Sequence, residues 1–162
     1  MGCISSTGNE PRAKGKVIFI HGYPCAGKTF YMDYLHSIGW EIVDGDEPLY
    51  SKSNKVAKDF YNAVNALYKI QKGEPCEEKD RKYLTNHYSD LAKKAKKLQD
   101  RGKNVCISVV ASLAQMRAEI PKVVPDVTFI LLEVDIPVLV ERNFKRMQAA
   151  GEAMGMSLEE QW

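Results

Sequence analysis

The chain lacks the marks of several protein classes. Its four cysteines, Cys3, Cys25, Cys76 and Cys106, form no C-x-x-C pair, and His21, His36 and His87 have no H-x-x-x-H companion. Zinc-type spacing and a disulfide framework are therefore excluded, and free thiols in a reducing, cytoplasmic compartment are expected. No apolar run approaches the roughly 20 residues that span a bilayer, and no apolar h-region follows Met1. Net charge is only +2 across 162 residues, too little to point to nucleic acid as a partner. The lysines of Lys93–Lys97 surround an apolar stripe of Leu91, Ala95 and Leu98, which a solvated helix face explains. The D-x-x-G and N-K-x-D segments of GTPases are also absent.

What is present begins at Gly22-Tyr23-Pro24-Cys25-Ala26-Gly27-Lys28-Thr29, a G-x-x-x-x-G-K-T pattern. The apolar run Lys16–Ile20 precedes it, and a segment able to form a helix, Lys28–Ser37, follows. Strand, glycine turn and helix N-terminus together converge backbone N–H groups on a polyphosphate. In that arrangement Lys28 reaches the β- and γ-phosphates, and the Thr29 hydroxyl takes a Mg²⁺ position. Phe30, next to Thr29, counts with Gly22–Thr29 among the candidate nucleotide-binding residues. Cys25, inside the loop near a helix N-terminus, is either a small residue that fits or an oxidation-sensitive thiol.

Further apolar segments at Trp40–Val43, Asn104–Val110 and Val127–Val134 read as strands. Helical patterns occupy Lys52–Lys72, about Lys79–Arg101, Ser112–Val123, and Ile136 to about Ala150. Gly39 and Gly102 stand where helix C-caps are expected, and Gly73-Glu74-Pro75 separates two helices. Alternating strands and helices, with strands apolar on both faces, predict a parallel sheet in a three-layer α/β/α sandwich. One domain is expected over residues 16–162, preceded by a polar, flexible tail over 1–15. Met1-Gly2-Cys3-Ile4-Ser5-Ser6 fits the N-myristoylation pattern, with Cys3 as a palmitoylation candidate. In a eukaryote that signal would tether the chain to a membrane, whereas an unmodified tail would leave it free.

The second strand runs into Val43-Asp44-Gly45-Asp46. Ligands of such sheets gather at the carboxyl ends of strands, so both carboxylates should face the phosphate loop. One can hold Mg²⁺, and the other can orient and deprotonate an acceptor hydroxyl. An ordinary Asp-Gly-Asp turn is the alternative. Later, Arg142 and Arg146 stand four residues apart on one helix face, either as a functional pair or as surface cations near Glu141. Tyr61, Tyr68, Tyr83 and Tyr88 fall on helices of the acceptor side, where core packing explains most of them. His21, at the junction of strand and loop, is either a structural histidine or a phosphate contact.

GYPCAGKT, VDGDEP and the segment Gly73–Leu84, which matches G-x-P-x-x-x-x-D-R-x-x-x-L, make the chain resemble a known group. It is similar to the small P-loop kinases of the shikimate kinase and gluconate kinase group, most closely the gluconate kinase-like branch. The resemblance covers about Lys16 to Met147 and implies the nucleoside/shikimate kinase-like fold of P-loop NTPases, here short of that fold's last strand and helix. It also implies ATP and Mg²⁺ as cofactors and a small-metabolite hydroxyl as acceptor. Asp46 corresponds to the base, with Asp44 at the metal and acceptor side and Arg81 near the acceptor pocket. Of the two arginines flanking the lid, Arg142 would pack near the base and Arg146 would neutralise the transferring phosphoryl group.

After the third strand those kinases continue with Lys-Arg and a further Arg. Here Ala114-Gln115-Met116 follows, with only Arg117 nearby, so the acceptor need not be gluconate. A nucleoside monophosphate kinase and a membrane-tethered nucleotide-binding module without turnover are the remaining readings. Oligomeric state is open.

Overall fold

The computed structural model describes residues 13–50, 52–109 and 114–153. Gly2, Cys3 and the acylation pattern lie outside them, as do Ala111, Ser112 and Leu113 after the third strand. Four strands form one parallel sheet: β1 (Val17–Gly22), β2 (Glu41–Asp44), β3 (Val105–Ser108) and β4 (Thr128–Leu132). Their order is β2-β3-β1-β4, with Val17 level with Val105, Glu41 level with Val105, and Ile18 level with Thr128. Every strand therefore ends at the same edge of the sheet, where the phosphate loop and the acidic turn meet.

Helices cover the two faces unequally. α1 (Lys28–Ser37) lies on one face, where Ile18, Ile20, Leu35 and Cys106 are buried together. α2 (Asn54–Gln71) and α3 (Glu78–Gln99) form a hairpin on the other. There Phe19, Val43, Ala63, Leu67, Leu84, Tyr88 and Ile107 make the larger core. α2 turns Phe60, Ala63 and Leu67 inward at helical spacing, and its N-terminus is capped by Ser53, whose hydroxyl accepts from the Val56 N–H. Lys93, Lys94 and Lys97 face solvent around buried Leu91 and Ala95.

Two expectations are corrected. The helix expected over Ser112–Val123 is two short ones, α4 (Ala114–Arg117) and α5 (Glu119–Val123). Pro121 supplies no N–H to the Arg117 carbonyl and its ring crowds that carbonyl, so the helix breaks between them. Nor is every strand covered on both faces. β4 stands at one edge of the sheet, and Phe129 and Leu131 on its α2 face are 39% and 51% exposed. α6 (Ile136–Ala153) follows β4. Among the described residues no helix is long and apolar enough to cross a membrane.

Candidate active site

Pro24 and Cys25 shape the loop that opens the site. The Ala26 N–H donates to the Tyr23 carbonyl at 3.1 Å, and Cys25 lies in the left-handed region at φ 65°. Pro24 before a left-handed residue is the pattern of a type II turn. Gly27 then takes φ 98° and opens α1, with nothing within 4 Å of where a Cβ would stand. A loop with two left-handed residues ahead of a helix N-terminus presents successive N–H groups to one concavity.

Lys28 is 8% exposed, and its Nζ donates to the Gly22 and Tyr23 carbonyls at 2.9 and 3.0 Å. Burial holds its pKa below the ordinary value, opposed by Asp46 and then Cys25, while the positive field of Arg146 lowers it further. Asp46 and Arg146, a hundred residues apart in sequence, thus both lie within electrostatic reach of the loop lysine. Thr29 is exposed on the first turn of α1, beside Phe30.

Hydrogen bonds hold the acidic turn from several sides. Asp44 Oδ1 accepts from the Asp46 N–H at 2.9 Å, so one Asp44 oxygen shapes the turn. This part of the ordinary-turn reading is correct. The Gly45 N–H donates to the Ser108 carbonyl at 2.7 Å. His87 Nε2 lies 2.8 Å from the Gly45 carbonyl, and its ring packs edge-on against Phe60 at 5.0 Å. Burial lowers the His87 pKa, so the ring is neutral with Nε2–H donating. Sequence reasoning gave His87 no role, because nothing local signals a partner 42 residues away.

Among the arginines, Arg142 Nη1 donates to the Cys25 carbonyl at 3.3 Å, which brings α6 against the loop. Cys25 Sγ lies 3.7 Å from Asn143 Oδ1. Arg117, at the end of α4, and Lys28 both lower the pKa of His21, after burial. That coupling brings Arg117 within electrostatic reach of His21, where β1 enters the loop. Arg81 is exposed on the first turn of α3. One turn later Thr85 reaches Met116 Sδ at 3.7 Å, so Arg81 stands on the side of α3 that turns toward α4. Of the four tyrosines assigned to packing, Tyr88 is buried and Tyr83 partly so, while Tyr61 and Tyr68 are exposed.

Two cavities flank the loop on opposite faces of the sheet. The first, about 510 Å³, is lined by Cys25, Ala26, Gly27, Phe30, Tyr31, Leu132 and Arg142 on the α1 side. The second, about 560 Å³, lies on the α2 side against Gly22, Tyr23 and Pro24. Its walls come from His21, from the last turns of α2, and from the end of β4 and beyond. The strand order that joins β1 to β4 creates this second cavity.

No family model matches the chain, and no curated protein matches it in sequence. Solved structures do. A sugar kinase from Janibacter sp. HTCC2649 superposes with a TM-score of 0.56 at 20% identity, over 82% of this chain and 68% of that one. This is the fold of the small P-loop kinases. A gluconokinase from Sinorhizobium meliloti 1021 gives 0.50 at 20% identity, over 83% of this chain and 66% of that one. The Mycobacterium tuberculosis APS kinase solved with AMPPNP and APS gives 0.52 at 19%, over 89% and 77%. Relative to these P-loop kinases the chain spans about two thirds to four fifths of their length.

Proposed function

We propose that the chain is an ATP- and Mg²⁺-dependent kinase that transfers the γ-phosphoryl group to a hydroxyl of a small metabolite. The observation that carries this reading is the pair of cavities meeting at the phosphate loop, with Lys28 bonded to the loop's Gly22 and Tyr23 carbonyls and Asp46 and Arg146 within reach of its charge. One cavity for a base and another for an acceptor, with phosphates between, is the layout an in-line transfer needs.

Residues of Gly22–Thr29, with Phe30, would hold the phosphates and ribose side, and Arg142 would stand against the base. Asp46 would take the proton from the acceptor hydroxyl as it attacks. Lys28 and Arg146 would neutralise charge on the transferring group. Arg117 and Arg81 would line the acceptor approach. Among the described residues no three His, Cys, Asp or Glu side chains gather that could hold an ion by themselves. Thr29 with Asp44 fits Mg²⁺, which takes few protein oxygens and completes its shell with phosphate and water. When bound, the ion would be held by Thr29 and Asp44 and would supply positive charge against the phosphates.

A nucleoside monophosphate acceptor calls for cations around its phosphate, and among the described residues no lysine or arginine lines the α2-side cavity. This favours a hydroxyl compound. The test is coupled ADP release across hydroxyl acceptors with Asp46→Asn as control. Tight ATP binding without acceptor-stimulated release above that control would leave a nucleotide-binding module in place of a kinase.

A further inference from the structure

The α2-side cavity differs in chemistry from everything else around the loop. Cationic groups crowd the phosphate side: Lys28, Arg142 and Arg146, with Arg117 beyond His21. Yet the cavity itself is lined by His21, Leu67, Tyr68, Gln71, Leu131 and Glu133, together with loop backbone. Leu67 is only 1% exposed and forms the floor, whereas Leu131 is 51% exposed and presents an apolar wall to the space. Among the described residues Glu133 is its one carboxylate. Such a surface repels a carboxylate, accepts hydrogen bonds from hydroxyl or ammonium donors, and favours an apolar or planar face against the leucines and Tyr68.

We propose that this cavity receives the non-reacting end of the phosphoryl acceptor, and that this end is uncharged or cationic and carries hydrogen-bond donors. The inference rests on the kinase reading above and narrows its substrate class away from sugar acids. Three observations agree on it. The cavity adjoins the start of the phosphate loop, so a ligand lodged there can extend a hydroxyl toward the Lys28–Asp46 region. It lies on the opposite face of the sheet from the Phe30–Arg142 cavity, so both substrates can be held at once. The positive fields of Arg117 and Lys28 reach His21 from outside the lining, so among the described residues that line the cavity Glu133 is the charge that the ligand meets.

The test uses the full chain and three polyols built on a six-carbon chain that differ at one end: gluconate (carboxylate), sorbitol (hydroxyl) and N-methylglucamine (ammonium). Adenosine is added as a larger neutral acceptor with a planar face. Binding of a fluorescent ATP analogue is measured first, acceptor binding by ligand-observed NMR second, and ADP release third. Sorbitol, N-methylglucamine or adenosine should be preferred to gluconate by about tenfold to a hundredfold, the range for a like charge placed near Glu133. Glu133→Lys should shift that preference toward gluconate. Leu131→Trp should fill the cavity and weaken acceptor binding at least about tenfold without changing affinity for the ATP analogue.

Preference for gluconate, equal binding of all three polyols, indifference of acceptor binding to Leu131→Trp, or no binding by any of the four probes would each overturn the assignment. Failure to bind the ATP analogue refutes instead the kinase reading on which it rests. The two failures are thus distinguishable.

Discussion

Gly45 joins the fold to the chemistry, and replacing it with alanine tests both. A Cβ at this position would stand 2.1 Å from Val109 Cγ1, 2.8 Å from the Ser108 carbonyl oxygen and 3.0 Å from Leu91 Cδ1. Two of these contacts are to side chains of the packed core and one is to backbone, so no single rotamer change relieves them. Overpacking of a well-filled core costs about 1–3 kcal/mol, and a clash that includes backbone belongs at about the upper end. For a domain of this size each kcal/mol moves Tm by about 2–4 °C, so Gly45→Ala should melt about 5–10 °C lower. The relief available is to push the turn away from β3 and α3. That strains the bonds from Gly45 N–H to Ser108 and from His87 to the Gly45 carbonyl, and moves Asp46 with them. Turnover should fall at least about tenfold from misplacement alone, while ATP affinity, set at β1 and α1, stays within about twofold.

Gly39→Ala is the control. Gly39 is left-handed at φ 89° with nothing within 4 Å of a Cβ, so only backbone strain of about 1 kcal/mol is expected and turnover should not change. Thermal melts paired with ADP-release rates make the comparison. A Gly45→Ala protein that melts within about 1 °C of the parent and retains its turnover would refute this account of the acidic turn.

Other outcomes follow from the same geometry. Lys28→Met should lower ATP affinity by about a hundredfold or more, because it removes the charged donor aimed at the phosphates. Stability should change little, since a buried charge disappears together with its two carbonyl bonds; titration with an ATP analogue alongside a melt checks both. His21 and His87 have pKa values held below 6.5, chiefly by burial. Their contribution to stability is therefore fully present above pH 6.5 and is lost as pH falls through the lower folded values, where the unfolded chain binds more protons. Denaturant unfolding between pH 7 and 4.5 should show this loss, and His87→Gln, whose amide can still donate to the Gly45 carbonyl, should lessen its slope.

How much the sequence discloses depends on the range of the interaction that fixes each feature. The span of α1 is legible to the residue, because Lys28 follows the loop's last glycine and Gly39 ends the helix in a left-handed conformation. The loop is legible for the same local reason. The exposed face of β4 is not, since alternation cannot reveal which strand will stand at the sheet edge. The break at Ala118 is signalled by Pro121, but reading it requires treating a proline three residues beyond the break as breaker rather than passenger. Asp46 beside the loop is an expectation from the shared sheet edge, whereas Arg117 and Arg146 enter only through the resemblance. The His87 bond to Gly45 and the Leu67–Leu131–Glu133 cavity carry no local sign, because they depend on how the α2–α3 hairpin settles over β1 and β4.

The central claim is that Asp46 activates a hydroxyl for attack on phosphate held by the loop. Transfer of label from γ-³²P-ATP to an acceptor, in single turnover with the parent chain and Asp46→Asn, measures it most directly. The account predicts a labelled phosphate ester from the parent and a rate about 10²–10⁴-fold lower from the variant, with ATP binding retained. Label released only as inorganic phosphate, or passed to the acceptor equally fast by Asp46→Asn, would contradict it.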